Sequence, residues 1–212
     1  MEAFTGASAP AARHIEPEPR EWQLRAMWVG ARLLCGAAAF FFLAFVFAYF
    51  YLRSLDVNKN WKIGAVHPSI GLGVAIAATL LLSAVMLRLA TRRPHATVLL
   101  GLVSLALALL AVVLQVTEWT TLGFGPTSGG YASVFIGWTA LYAVFGLASA
   151  YWIETQIATA WRHQREGVRR LRHEGVVGDD RELLSAGLEA CSFFWAFYVG
   201  AGILAFVILY VV

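Results

Sequence analysis

The sequence predicts an all-α polytopic membrane protein, a five-transmembrane-helix bundle with its N-terminus in the cytoplasm and its C-terminus outside. Three observations predict it. The 212-residue chain is 59% hydrophobic and only 14% charged, with a mean hydropathy of +0.68; a soluble domain carries about 25% charged and about 45–50% apolar residues. Five stretches, 33–52, 68–87, 96–117, 131–153 and 190–212, contain no Asp, Glu, Lys or Arg. The basic residues, finally, segregate to alternate connections between those stretches. Such a composition excludes a polar-surfaced soluble enzyme.

Residues 1–26 hold Pro10, Pro17 and Pro19 among mixed charges and have no apolar core, which reads as a flexible cytoplasmic arm rather than a signal peptide. Glu2, Glu16, Glu18 and Glu21 speak against a transit peptide. The membrane domain is expected over 27–212, with helices near 28–52, 68–90, 95–118, 131–161 and 188–212. About 20 residues at ~1.5 Å each span the hydrocarbon layer. Within it every backbone donor and acceptor needs a partner in the same segment, and the runs lack the alternation of a barrel strand.

Arg13, Arg20, Arg25 and Arg32 precede the first helix, Arg88, Arg92 and Arg93 separate the second from the third, and six arginines from Arg162 to Arg181 separate the fourth from the fifth. The opposite side has only Arg53, Lys59 and Lys62. An excess of Lys and Arg marks the cytoplasmic face, which sets the orientation. The same charge suits anionic lipid headgroups, and no basic stripe on a soluble face points to nucleic acid. Trp28, Trp152 and Trp161 on one side, and Tyr51, Trp61, Trp119, Tyr131 and Tyr210 on the other, are expected as interfacial anchors. Small residues at Gly36–Ala39, Gly71, Gly73, Ala143, Gly146 and Gly200–Gly202 would let helices approach closely.

Chemistry is sparse. A membrane redox centre needs histidines at depth, yet His14, His67, His95, His163 and His173 all lie outside the charge-free runs, and Cys35 and Cys191 have no metal-site spacing. Neither a phosphate loop nor a GxSxG or HExxH motif is present. The chain is therefore expected to bind no cofactor or metal and to carry no catalytic residue. Four polar residues stand out. Glu154 is read as hydrogen-bonded or paired near a helix end, with a proton-carrying role as the alternative. Glu189 is read as a carboxylate at the N-terminus of the fifth helix, where the helix dipole favours it. Gln115 and Glu118, three residues apart, share one face beside Trp119.

In order along the chain, these landmarks resemble subunit III of the haem-copper oxidase family, cytochrome c oxidase subunit 3, in a divergent five-helix bacterial form. Phe40-Phe41-Phe42 through Phe47-Ala48-Tyr49-Phe50-Tyr51-Leu52-Arg53 is similar to the family's FF...AYFYLR helix, and Thr79-Leu80-Leu81-Leu82-Ser83 to its NTxxLLxSS run. Gln115-Val116-Thr117-Glu118-Trp119 resembles QxxEY or QxxEW, Tyr131-Ala132-Ser133-Val134-Phe135 resembles Y-x-S-x-F, and Phe194 to Gly200 resembles YWHFVDxVW. The resemblance covers nearly all of 27–212. It departs at Gly36–Ala39, which lack the family's intramembrane glutamate, at Tyr142 and Phe145, which replace histidines, and at Ala196, Val199 and Gly202, which replace His, Asp and Trp.

The resemblance implies a non-catalytic membrane subunit of a terminal oxidase that reduces dioxygen in aerobic respiration coupled to proton transport, in the plasma membrane of a bacterium. Haem and copper would sit in the partner subunits I and II, electrons would come indirectly from cytochrome c, and this chain would stabilise subunit I and bind phospholipid. Gln115, Glu118, Glu154 and Glu189 are then candidate polar pins for partner contact, and Arg88, Arg92 and Arg93 candidate lipid-headgroup contacts. An accessory subunit of a nitric oxide reductase and an independent small transporter remain alternatives; a stand-alone membrane enzyme lacks a catalytic constellation.

Overall fold

A computed structural model describes residues 19–56, 61, 67–170 and 179–212. It contains five long helices: α1 (Arg20–Ser54), α2 (Ile70–Arg92), α3 (Thr97–Thr121), α4 (Gly130–Arg170) and α5 (Asp179–Phe206). A short 3-10 turn, Pro94–Ala96, links α2 to α3, and a π turn, Val207–Val211, prolongs α5. All five helices are long and apolar enough to cross a membrane. The chain is thus an all-α, multi-pass membrane protein.

The helix bounds depart from expectation where charge is dense. α1 begins at Arg20 rather than near 28, α4 runs to Arg170 rather than 161, and α5 begins at Asp179 rather than 188. Charge-free runs mark only the part of a helix suited to hydrocarbon, whereas helical hydrogen bonds continue wherever the backbone allows. The expected arm therefore loses its last seven residues to α1, and residues 1–18 of it lie outside the described residues. So do 171–178 of the Arg-rich connection.

Local chemistry sets the ends. Pro19 precedes α1, and Glu21 in its first turn meets the positive end of the helix dipole. The Ser69 side chain accepts a hydrogen bond from the Leu72 amide and caps α2, and Pro94 ends the run after Arg93. Thr97 closes the tight α2–α3 turn by placing its hydroxyl 3.0 Å from the Ala90 carbonyl. α3 stops at the Gly123–Pro126 stretch. Gly129, with φ of 117°, then takes a left-handed conformation that glycine adopts at little cost, and turns the chain into α4.

α2, α3, α4 and α5 form a ring in which α2 touches α3 and α5, and α4 touches α3 and α5; α1 lies outside the ring against α4 and α5. Lipid tails are as apolar as leucine, so close packing and interhelical hydrogen bonds hold such a bundle. Phe40, Leu43 and Phe47 of α1 point outward, as suits a face that meets lipid. Two reciprocal pairs tie the interior. Ser83 of α2 and Ser104 of α3 each donate to the other's carbonyl, at 2.8 and 2.9 Å, and the Trp195 indole of α5 donates to the Ser83 hydroxyl at 3.1 Å. Between α4 and α5, Tyr142 and Tyr198 do the same.

Candidate functional site: a buried polar cluster

α3 places Gln115 and Glu118 on one face, three residues apart, so their side chains meet. Gln115 Nε2 donates to Glu118 Oε2 at 3.0 Å. The Tyr210 hydroxyl, from the π turn 92 residues away in sequence, donates to the same oxygen at 2.5 Å. Glu118 is fully buried, and its Oε1 has no hydrogen-bond partner among the described residues. A carboxyl group at such depth is costly unless paired; hydrogen bonds to an ionised oxygen are shorter and stronger than neutral ones.

The sequence arranges the Tyr210 approach in three ways. Gly73 of α2 leaves room for the ring: a Cβ there would lie 2.6 Å from Tyr210 Cε1. Phe206 stacks on the ring with centroids 5.0 Å apart, and Phe135 meets it edge-on at 5.5 Å. The Tyr131 hydroxyl donates to the Leu209 carbonyl at 2.6 Å and pins the π turn itself. The wider turn re-aims the residues it carries relative to a continued α-helix, a use π turns often serve at functional sites.

Around this cluster the aromatic residues are drawn inward. Tyr131 is fully buried and Trp61 nearly so, which corrects their expected place as interfacial anchors; Tyr210 too spends its hydroxyl on Glu118. Trp61 wedges edge-on against Tyr49 and Tyr131, at 5.1 and 5.9 Å. Its backbone is held at both ends, by its amide on Asp56 Oδ1 at 3.1 Å and by the Tyr131 amide on its carbonyl at 3.0 Å. The reason is that backbone pairing and aromatic packing at the helix ends offer Trp61 more than the headgroup layer does. The Tyr49 hydroxyl is buried with no partner among the described residues, as is Trp138 Nε1; an unpaired buried donor costs about 1–3 kcal/mol. Trp138 also lines a partly open cleft of about 40 Å³ between α2, α3, α4 and α5.

The other predicted polar residues do not join the cluster. Glu154 lies in the middle of α4 rather than near a helix end, and it is exposed, with no hydrogen bond or ion pair to a described residue. Glu189 is exposed more than two turns inside α5. The capping role expected for it fails because the helix starts at Asp179. Arg88, Arg92 and Arg93 are all exposed at the C-terminal end of α2, where cations complement the helix dipole. Among the described residues no three His, Cys, Asp or Glu side chains converge in a way that could hold a metal ion.

Gln115 and Glu118 were legible as a pair; Tyr210, Tyr131 and Trp138 were not, since their partners come from other helices. One sequence signal was available for the tyrosine pair: Tyr142 and Tyr198 each precede a glycine by four residues, Gly146 and Gly202. No protein-family model and no curated protein sequence matches this chain.

Proposed function

We propose that this chain is subunit III of a haem-copper terminal oxidase, a non-catalytic membrane subunit that stabilises subunit I and binds phospholipid in a bacterial plasma membrane. The complex reduces dioxygen in aerobic respiration coupled to proton transport; haem and copper belong to subunits I and II, and cytochrome c delivers electrons to the complex rather than to this chain. The observation that carries the reading is the Gln115–Glu118 pair. The two residues on which the QxxEW resemblance rests are hydrogen-bonded to each other, buried, and held from the far end of the chain by Tyr210. Motif residues that close one end of a helix bundle suit a structural subunit.

The departures from the family pattern support the same reading. Tyr142 stands where a histidine is expected and Gly202 where a tryptophan is, and these two positions meet: the Tyr142 hydroxyl occupies the space a Cβ on Gly202 would need. The same hydroxyl donates to the Tyr198 carbonyl, so a polar contact joins α4 and α5 at these positions. Arg88, Arg92 and Arg93, exposed at one end of the bundle, suit phospholipid headgroups. Glu154 and Glu189, exposed on α4 and α5, suit contacts with subunit I.

Purification of the tagged chain from its native membrane in mild detergent tests the proposal. The reduced-minus-oxidised spectrum should show haem bands, and mass spectrometry should find a histidine-rich catalytic subunit with its copper-bearing partner. Co-purification with a nitric oxide reductase would move the chain to that complex. A colourless chain purified alone, while other membrane complexes stay intact, would overturn the reading in favour of an independent transporter.

A further inference from the structure

Glu118 and Glu154 both lie within helices long and apolar enough to cross a membrane, and the fold treats them oppositely. Glu118 is buried and takes donors from Gln115 and Tyr210, whereas Glu154 is exposed and pairs with no described residue. Its depth follows from a neighbouring contact. A Cβ on Gly101 of α3 would stand 2.7 Å from Ile157 Cγ1 of α4, which sets Ile157 level with Gly101, about 6 Å inside the start of α3 at Thr97. Glu154 lies about 4.5 Å deeper along the antiparallel α4, and helix side chains lean toward the N-terminus, here further inward. The carboxyl group is thus about 10 Å within the bundle end where Arg88, Arg92 and Arg93 gather. A glutamate stem is shorter than the Lys and Arg stems that snorkel back to an interface.

Leu147 and Tyr151 share the Glu154 face on its inner side, and Tyr151 is 68% exposed. On its outer side Ala158 and Trp161 separate it from Arg165, which stacks over the Trp161 ring at 4.0 Å. Glu189 differs: it continues an exposed polar line through Ser185 and Glu182 toward the start of α5. We propose that the α4 face around Glu154 docks a transmembrane helix of a partner chain, one that presents a Lys or Arg to Glu154 at the same depth. A carboxylate among lipid tails is costly, and such groups pair with one another or with a neighbour. Charge complementarity selects the occupant. An acyl chain brings no cation, a lipid amine stays at the headgroup level, and a second copy meeting this face would set Glu154 against Glu154. Leu147 and Tyr151 would keep lipid and water from the ion pair. The proposal rests on the reading of the chain as a subunit, not on which complex it joins.

Photo-cross-linking in the native membrane tests it, with p-benzoylphenylalanine placed at Tyr151 of the full chain and, as a control, at the outward-facing Phe40 of α1. Irradiation at Tyr151 should join the chain to a transmembrane segment that carries a Lys or Arg, while Phe40 should yield lipid adducts. Glu154→Gln keeps the size of the side chain and removes its charge; it should lower the amount of that partner retained through detergent purification at least about tenfold. Exchanging the charges, with Glu154→Lys in this chain and Glu for the cation of the partner, should restore retention. Adducts at Tyr151 that contain no partner protein, a partner segment without Lys or Arg, or full retention by Glu154→Gln each overturn the proposal. A haem-free partner cross-linked at Tyr151 would support it and overturn the oxidase reading. Lipid adducts alone at Tyr151, in a chain that still co-purifies with a haem protein, would do the reverse.

Discussion

Tyr142 of α4 and Tyr198 of α5 each donate a hydrogen bond to the other's backbone carbonyl, at 3.0 and 2.8 Å, with their rings stacked 4.2 Å apart. Each hydroxyl also lies over the glycine one turn beyond the residue it bonds: Tyr198 over Gly146, Tyr142 over Gly202. Residues four apart share a helix face, so one tyrosine–glycine unit on each antiparallel helix builds both halves of the contact.

Alanine at either glycine should therefore loosen the α4–α5 pair. A Cβ on Gly146 would stand 2.5 Å from the Tyr198 hydroxyl oxygen, and one on Gly202 would press on Tyr142 more closely. Overpacking of this kind costs about 1–3 kcal/mol. Gly200 has nothing within 4 Å of its would-be Cβ, so Gly200→Ala should be neutral or slightly stabilising. Thermal unfolding in detergent, followed by circular dichroism, should rank Gly146→Ala and Gly202→Ala below the parent and Gly200→Ala level with it.

The buried carboxyl makes a second prediction. Glu118→Gln keeps an oxygen that Gln115 and Tyr210 can use, whereas Glu118→Leu leaves both donors unpaired. The leucine variant should lose more stability, by about 1–3 kcal/mol, the cost of orphaned buried donors. Because Gln115 and Tyr210 bond the same oxygen, the effects of Gln115→Leu and Tyr210→Phe should not add. A double-mutant cycle on unfolding midpoints measures that coupling.

A third prediction separates the two serines. Ser83→Ala removes a hydroxyl that bonds Ser104 and also the acceptor that satisfies Trp195, while Ser104→Ala removes a hydroxyl that bonds Ser83 alone. Backbone carbonyls in a helix keep their helical partners, but an indole N–H has no second choice. Ser83→Ala should cost about 1–3 kcal/mol and Ser104→Ala about 0.5–1.5 kcal/mol. A larger loss for Ser104→Ala in the same unfolding assay would contradict the assignment of Ser83 as the acceptor for Trp195.

Much of the fold was legible because the membrane imposes one rule along the whole chain: a long charge-free run becomes a helix. The five helices lie where those runs do, and the errors sit at α1, α4 and α5, where charged turns extend helices past the apolar stretch. Gln115 and Glu118 were legible because their spacing is local. Tyr210 was not, since its hydroxyl finds Glu118 only after α3 and the π turn come together, and nothing near Tyr210 distinguishes it from an interfacial anchor. Trp61 misled for the same reason. Aromatic residues at helix ends fit both the headgroup layer and a neighbour's flank, and only tertiary packing decides between them.

The orientation inferred from charge makes the last prediction. The turn containing His95 and the loop containing Thr127 cap opposite ends of α3, whose 25 residues span about 38 Å. They therefore lie on opposite sides of any bilayer the helix crosses. Arg88, Arg92 and Arg93 gather at the His95 end, while that loop, residues 122–129, has no charged residue, so the positive-inside rule puts His95 in the cytoplasm and Thr127 outside. Both positions are exposed. With Cys35 and Cys191 replaced by alanine, a membrane-impermeant maleimide should label Thr127→Cys in intact cells and His95→Cys only after permeabilisation. The reverse pattern would invert the topology, and with it the side on which the Gln115–Glu118–Tyr210 cluster closes the bundle.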